Sequence, residues 1–263
     1  MKLTILGSGT DASHLAGIAN RFPPGFLVEW NEHKLLIECS EGIRFRLEKI
    51  GVDYADIRHL AISHAHPDHY ALPQFLQSVW NKIMWSGKNY DHELEIFCTK
   101  DIADNYNKLW NLYRPGEDYL PKPKLIFKPM SNGEQYELGG AKLSAANVSH
   151  SKMDALAFRL ELNNRALVYS GDTDDCLGIR KIAKDADIFI CECSALIGAE
   201  KTSLTTHLNP FQIGAIARDS AVKKLILTHY SGLNSDEEMT NECRRAGFKG
   251  EITIGKDFQT FEI

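Results

Sequence analysis

Two periods organise the apolar residues of this chain. Short apolar or alternating runs at 2–6, 26–30, 34–39 and 59–62 read as strands, and residues 43–50 recur at helical spacing up to Gly51. Leu72, Phe75, Leu76, Val79 and Ile83 place a helix over 72–85, and a strand at 93–98 and a helix at 102–113 follow. Pro115, Pro121 and Pro123 make 114–124 a loop. In the second half, strands are predicted at 125–127, 135–138, 141–148, 156–162 and 166–170, separated by Asn-Gly, Gly-Gly and Asn-Asn turns. Helices at 179–183, 211–219 and 237–246 then alternate with strands at 188–191, 225–228, 251–254 and 260–263. Each half is rich in strands, with helices following them. The pattern predicts an α/β fold of two mixed β-sheets packed face to face, helices outside, in one domain over 1–263.

Composition narrows the class. At 263 residues, 43% hydrophobic and 25% charged, the chain reads as an ordinary globular protein. No apolar run approaches the roughly 20 residues of a membrane helix, so no membrane partner is expected. The opening Met1 to Gly7 is too short for a signal peptide and runs straight into a strand and a turn, which sets the expected location as cytoplasmic. The net charge of −5 argues against a broad nucleic-acid footprint. Cys39, Cys98, Cys176, Cys191, Cys193 and Cys243 are scattered, mostly in apolar runs, which fits reduced core thiols. Cys191 and Cys193 flank Glu192 with the alternation of a strand rather than as a metal pair.

The chemistry starts with His64-Ala65-His66-Pro67-Asp68-His69, directly after the strand at 59–62. In an extended backbone residues two apart point the same way, so His64 and His66 can grip one metal ion together. Pro67 turns the chain and leaves Asp68 and His69 free to face a second. A histidine-rich surface loop is the plain alternative. A two-metal centre needs further ligands from strand ends, and three positions qualify: His150, Asp172 after the turn at Gly171, and His229. A lone histidine after a strand is commonly a surface or capping residue, but three separate strand ends presenting His, Asp and His weaken that reading. His14, His33, His59 and His92 sit among charged or turn residues and read as solvated; His207 stands apart.

Taken together, Gly7-Ser8-Gly9-Thr10, His64-x-His66-x-Asp68-His69, His150, Ser170-Gly171-Asp172-Thr173, Cys191-Glu192-Cys193-Ser194, His207-Leu208-Asn209 and Thr228-His229 resemble the metallo-β-lactamase-fold hydrolases, most of all their ribonuclease Z-like branch. The resemblance implies a four-layer αββα sandwich with the metals at one edge. It also implies that His64, His66 and His150 hold one ion, that Asp68, His69 and His229 hold the other, and that Asp172 bridges them. Imidazole and carboxylate ligands without thiolate suit two zinc ions, with manganese or iron also accommodated. A bridging carboxylate would keep two dications about 3.5–4 Å apart, close enough to share one hydroxide. Asp172 stands where lactam-cleaving members often carry Cys, which points to phosphoester or thioester substrates. His66 disfavours the redox di-iron relatives, which carry Glu there.

The expected activity is hydrolysis of a small or nucleotide-like phosphodiester. Asp68 would orient the attacking water, and by resemblance Glu192 and His207 form the dyad that protonates the leaving oxygen. His207 can instead belong to a helix N-terminus, since Thr205, Thr206 and Asn209-Pro210 lead into one. Three features depart from the branch. Only 21 residues separate His150 from Asp172, room for a hairpin through Asn163-Asn164 but not for an arm that grips tRNA. The branch's Asp-Cys-Gly-Glu-Gly run stands altered as Glu38-Cys39-Ser40-Glu41-Gly42, and Ala71 replaces a Gly. The missing arm and the acidic net charge argue against tRNA as partner. Residues 70–86 and 105–124, with Trp80, Trp85, Trp110, Tyr106, Tyr113, Lys82, Lys108 and Arg114, either wall the pocket, pack in the core or form a homodimer surface. A thioester or lactone hydrolase, a ribonuclease Z-type RNA endonuclease and a metal-binding module without turnover are the competing readings.

Overall fold

The structure is a computed structural model and describes residues 1–11, 21–87, 92–116, 123–198, 206–232 and 234–263. His14, the centre of the proline-containing loop at 117–122, and Thr205 lie outside the described residues.

The chain opens with β1 (Lys2–Gly7), β2 (Gly25–Trp30), β3 (His33–Ile37), α1 (Ile43–Lys49) and β4 (His59–Ala61). There follow α2 (Leu72–Ser86), β5 (Glu93–Cys98), α3 (Lys100–Tyr113), β6 (Lys124–Pro129), β7 (Gln135–Leu138), β8 (Ala141–His150) and β9 (Met153–Leu162). The last third holds β10 (Arg165–Tyr169), α4 (Leu177–Ile182), β11 (Ile188–Glu192), α5 (Pro210–Asp219), β12 (Lys224–Thr228), α6 (Asp236–Arg245), β13 (Glu251–Ile254) and β14 (Thr260–Glu262). One sheet has the order β14-β1-β2-β3-β4-β5-β6 and the other β13-β12-β11-β10-β9-β8-β7. Each is antiparallel along one side and parallel along the other: β3 to β6, and β10 to β13. A parallel pair needs a crossover, and each helix from α1 to α6 fills one such crossover.

Alternation along the strands sorts the apolar side chains into three layers. In β2, Phe26, Val28 and Trp30 face the core between the sheets, which they share with Leu35, Phe158 and Tyr169; Leu27 points the other way, to α1–α3. In β10, Leu167 and Tyr169 face that core while Val168 joins Ile179, Ile213 and Met239 under α4–α6. Burying each large side chain is worth about 1.5–3 kcal/mol, so a one-residue slip in any central strand would be costly.

Several boundaries differ from their expected places, two of them near the site or with a clear physical reason. Strand β8 runs on to His150 itself, paired with Met153, because β9 starts three residues before the apolar run at 156. Helix α3 begins at Lys100, where Thr99 accepts a hydrogen bond from the Ile102 amide; the apolar period alone had placed the start at Ile102. Three histidines expected in solvent are partly buried instead. His33 stacks on Trp30, and His59 lies 3.1 Å from Glu95, half withdrawn from water. His92 is half-buried as well.

Candidate metal centre

The C-terminal ends of the parallel strands meet at one edge of the sandwich, and side chains from both sheets converge there. The hexapeptide follows β4, His150 ends β8, Asp172 follows β10, Glu192 ends β11 and His229 follows β12. Gly171 makes the turn to Asp172 at φ +58°, and a Cβ there would stand 2.5 Å from the Leu156 carbonyl oxygen. Only glycine fits.

Two groups of nitrogens and oxygens face one another. In the first, His66 Nδ1 lies 3.0 Å from His64 Nε2 and 3.1 Å from His150 Nε2. In the second, His69 Nε2 and His229 Nε2 are 3.1 Å apart, with Asp68 Oδ2 3.3 Å from His229 and 3.7 Å from His69. The Asp172 carboxylate touches both. Its Oδ2 is 3.8 Å from His64, 3.9 Å from His150 and 3.4 Å from His229, and its Oδ1 is 3.4 Å from His69. The structure thus brings together all seven residues expected as ligands, from sites up to 165 positions apart (64 to 229). Within each group the donor atoms lie no more than 4.8 Å from one another, close enough to share an ion without rearrangement of the backbone.

Outer partners aim these rings. His150 Nδ1 donates to the Thr206 carbonyl oxygen at 3.1 Å, and His64 Nδ1 lies 2.9 Å from Ser63 Oγ. Ser194 Oγ donates to the His229 carbonyl at 2.8 Å and bonds the same residue's Nδ1, while His69 Nδ1 stands 3.2 Å from Glu38 Oε1. A proton held on Nδ1 by these partners leaves Nε2 of His64, His150 and His229 to face the cluster, whereas His66 turns its Nδ1 inward. Glu38 and the serine hydroxyls carried no site assignment from sequence; their side chains reach the histidines only through the turn geometry.

Charge asks for a cation here. Glu38, Asp68, Asp172 and Glu192 are all buried, and the charged partners of Asp68, Asp172 and Glu38 at the cluster are imidazoles. Burial and neighbouring histidines push His64 down to about 2, keeping it neutral. Burial also disfavours charge on His69, yet Asp172 and Glu38 outweigh it and draw positive charge to that ring. Asp68 and Asp172 resist the upward push of burial because His229 and His69 hold them well below the usual carboxylate range. Asp172 Oδ1 has no hydrogen-bond partner among the described residues, an orphan that a metal ion would satisfy. Converging lone pairs, buried anions and the orphan oxygen together fit divalent cations.

A cavity of about 370 Å³ opens onto the cluster, lined by Thr10, Asp11, His66, Pro67, Asp68, Asp172, Ser194, His207, His229 and Ser231. His207 stands on its wall with Nδ1 3.0 Å from Glu192 Oε1. That carboxylate also accepts the Thr173, Leu208 and Ser194 amides, so it is rigidly placed. Burial favours neutral His207, but Glu192 and then Asp172 raise it to about 9. The helix-cap role belongs to Asn209, which forms a capping box with Gln212 at the start of α5. None of the described residues of 70–86 or 105–124 lines this cavity. Tyr106 and Trp110 are core, Arg114 stacks over Trp80, and Lys82 pairs with Asp53. Tyr113 instead borders a separate groove of about 470 Å³ with Phe45, Gln74 and Asn81.

Known proteins agree with this frame. The chain is 25% identical over 259 residues to the probable metallo-hydrolase YhfI of Bacillus subtilis, covering 97% of each chain. It is 24% identical over 301 aligned positions to a ribonuclease Z of Streptomyces coelicolor, covering 97% of this chain and 95% of that one. The crystal structure of YhfI matches with a TM-score of 0.83 at 22% identity, over 99% of this chain and 98% of that one. A diphosphatase of the PhnP family matches at 0.74 and 17% identity, over 99% and 96%. The family model described as the anti-Pycsar protein Apyc1 matches residues 1–253. Two mixed sheets meeting at a histidine- and aspartate-lined edge, with relatives of this kind along the full length, make the chain a metal-dependent hydrolase of the metallo-β-lactamase fold, and it belongs to the anti-Pycsar protein Apyc1 family.

Proposed function

We propose that this hydrolase cleaves a small or nucleotide-like phosphodiester at a centre of two divalent ions. His64, His66 and His150 would hold one, Asp68, His69 and His229 the other, with Asp172 serving both; zinc suits this donor set, and manganese or iron are accommodated. Bound there, the cations supply Lewis acidity that makes hydroxide available near neutral pH and offsets phosphoryl charge. The chain's own residues do the orienting and the proton transfer. Asp68, on the cavity wall, accepts a hydrogen bond from the attacking water and aims it. His207, with Nδ1 tied to Glu192, turns Nε2 to the cavity and gives the leaving oxygen its proton.

The Glu192–His207 pair is the observation that carries the phosphodiester reading. An alkoxide leaves poorly without a proton, whereas the thiolate of a thioester needs none. Relatives named as a ribonuclease and a diphosphatase support attack at phosphorus. A small substrate is supported by the cavity's size, and by the hairpin of β9 and β10, which with its turns takes up the stretch between His150 and Asp172. The test is a paired assay of zinc-loaded protein on bis(4-nitrophenyl) phosphate and an acyl thioester, before and after chelation. Diester hydrolysis lost on chelation and restored by zinc is expected. Thioester cleavage alone would replace this reading with a thioesterase, and bound zinc with neither activity would leave a metal-binding module.

A further inference from the structure

We infer that Glu38 is a positioning residue for the metal centre: its buried carboxylate ties the start of the hexapeptide to its end and keeps the His69 ring turned towards the cluster. This rests on the reading of the cluster as a metal site.

Glu38 directly follows β3 and adopts φ +66°, a left-handed conformation that a long side chain takes only where its surroundings hold it. Its amide donates to the Ala61 carbonyl at 2.8 Å, anchoring the turn to the end of β4. The carboxylate lies between the sheets, wholly withdrawn from solvent. One oxygen accepts the Ser63 amide at 3.1 Å, immediately before His64. The other stands 3.2 Å from Nδ1 of His69. The next residue grips His69 from its other side, since the Cys39 amide donates to the His69 carbonyl at 3.0 Å.

Both ends of the hexapeptide are therefore fastened to one dipeptide of the neighbouring strand. A carboxylate facing Nδ1 keeps the proton there, which leaves Nε2 as the nitrogen with a free lone pair, 3.1 Å from His229 Nε2. An amide in place of that carboxylate removes the charge and can present its NH₂ to Nδ1, which would favour the wrong tautomer.

Glu38→Gln and Glu38→Asp test this, with zinc binding measured by competition against a chromogenic chelator. Imidazole ¹⁵N–¹H correlation spectra of the zinc-loaded proteins provide a readout that packing alone would not move. Wild type is expected to bind two equivalents and to show a slowly exchanging, downfield Nδ1–H on His69. Folded E38Q should bind one equivalent about 10–100-fold more weakly and lose that signal, with E38D between the two. Two unchanged equivalents in folded E38Q overturn the proposal while leaving the metal reading intact. If E38Q fails to fold, the wild-type spectrum decides: a hydrogen-bonded Nδ1–H supports the role, and its absence overturns it. Wild type that takes up no zinc would remove the metal reading itself.

Discussion

At the N-terminal ends of β10, β11 and β12, Asp187 is held between Arg165 Nη1 and Lys223 Nζ, each at 2.8 Å, and accepts the Ala166 amide at 2.8 Å. At the C-terminal ends of the same three parallel strands, Asp172 and Glu192 meet imidazoles and backbone amides instead. Both ends bury carboxylate, but they settle its charge differently. One end carries its own cations on the chain and needs nothing from outside. The other gathers buried anions and imidazoles whose ring nitrogens converge, with no lysine or arginine among the charged partners named there. The contrast separates a carboxylate matched by cations of the chain from carboxylates grouped with imidazoles.

The hardest test of that contrast is Asp172→Asn. Removing the one group that faces both halves of the cluster should drop diester hydrolysis to the uncatalysed background and lower bound zinc below two equivalents, read by turnover and by metal analysis of the same sample. Retention of both would show that the C-terminal end is not short of positive charge. Next comes His207→Ala. Loss of a positioned acid is worth about 10²–10⁴-fold, so turnover of an alkyl diester should fall within that range at full zinc content. The loss should be smaller on a nitrophenyl diester, whose leaving group needs little help. An equal loss on both substrates would assign His207 to binding rather than to proton transfer.

The two ends were not equally legible in the sequence. The hexapeptide announces itself because its candidate ligands are neighbours in the chain, and His150, Asp172 and His229 show as polar residues where strand periodicity stops. The αββα layering followed from strand runs and their crossover helices. What stayed hidden depends on side-chain direction and on pairing between distant segments. Glu38 stood out only as part of an altered run, because its role arises from a left-handed turn packed between two sheets. Thr10 and Asp11 reach the cavity from the first loop, which no local pattern reveals. Trp110 and Tyr106 recur on an amphipathic helix, and spacing cannot say that this face meets the sheet rather than the pocket.

Asp187→Asn probes the self-sufficient end. Burial opposes the charge of Asp187, but Lys223, the Ala166 amide and Arg165 bring it down to about 2. A carboxyl depressed below its unfolded value stabilises the fold above about pH 4, and that contribution fades as pH falls towards 2. With both cationic partners partly in solvent, the effect is trimmed to about 1–2 kcal/mol at pH 7. Urea unfolding of wild type and variant from pH 7 to pH 3 should show a gap that narrows with acid, at unchanged turnover. A gap constant with pH would mean that Asp187 acts through packing and not through charge.

Lys223→Ala should have the smallest effect. Its side chain is 65% exposed, so its attraction to Asp187 is screened by water and salt. Removing it leaves Asp187 with Arg165 and the Ala166 amide, neither of which depends on the lysine. A loss of a few tenths of a kcal/mol, shrinking further in high salt, is expected from urea unfolding. A loss above about 1 kcal/mol would mean that Arg165 cannot hold the carboxylate alone, and that this end too is balanced on a single charge. The two ends would then differ in which cation they use, and no longer in whether the chain supplies enough of them.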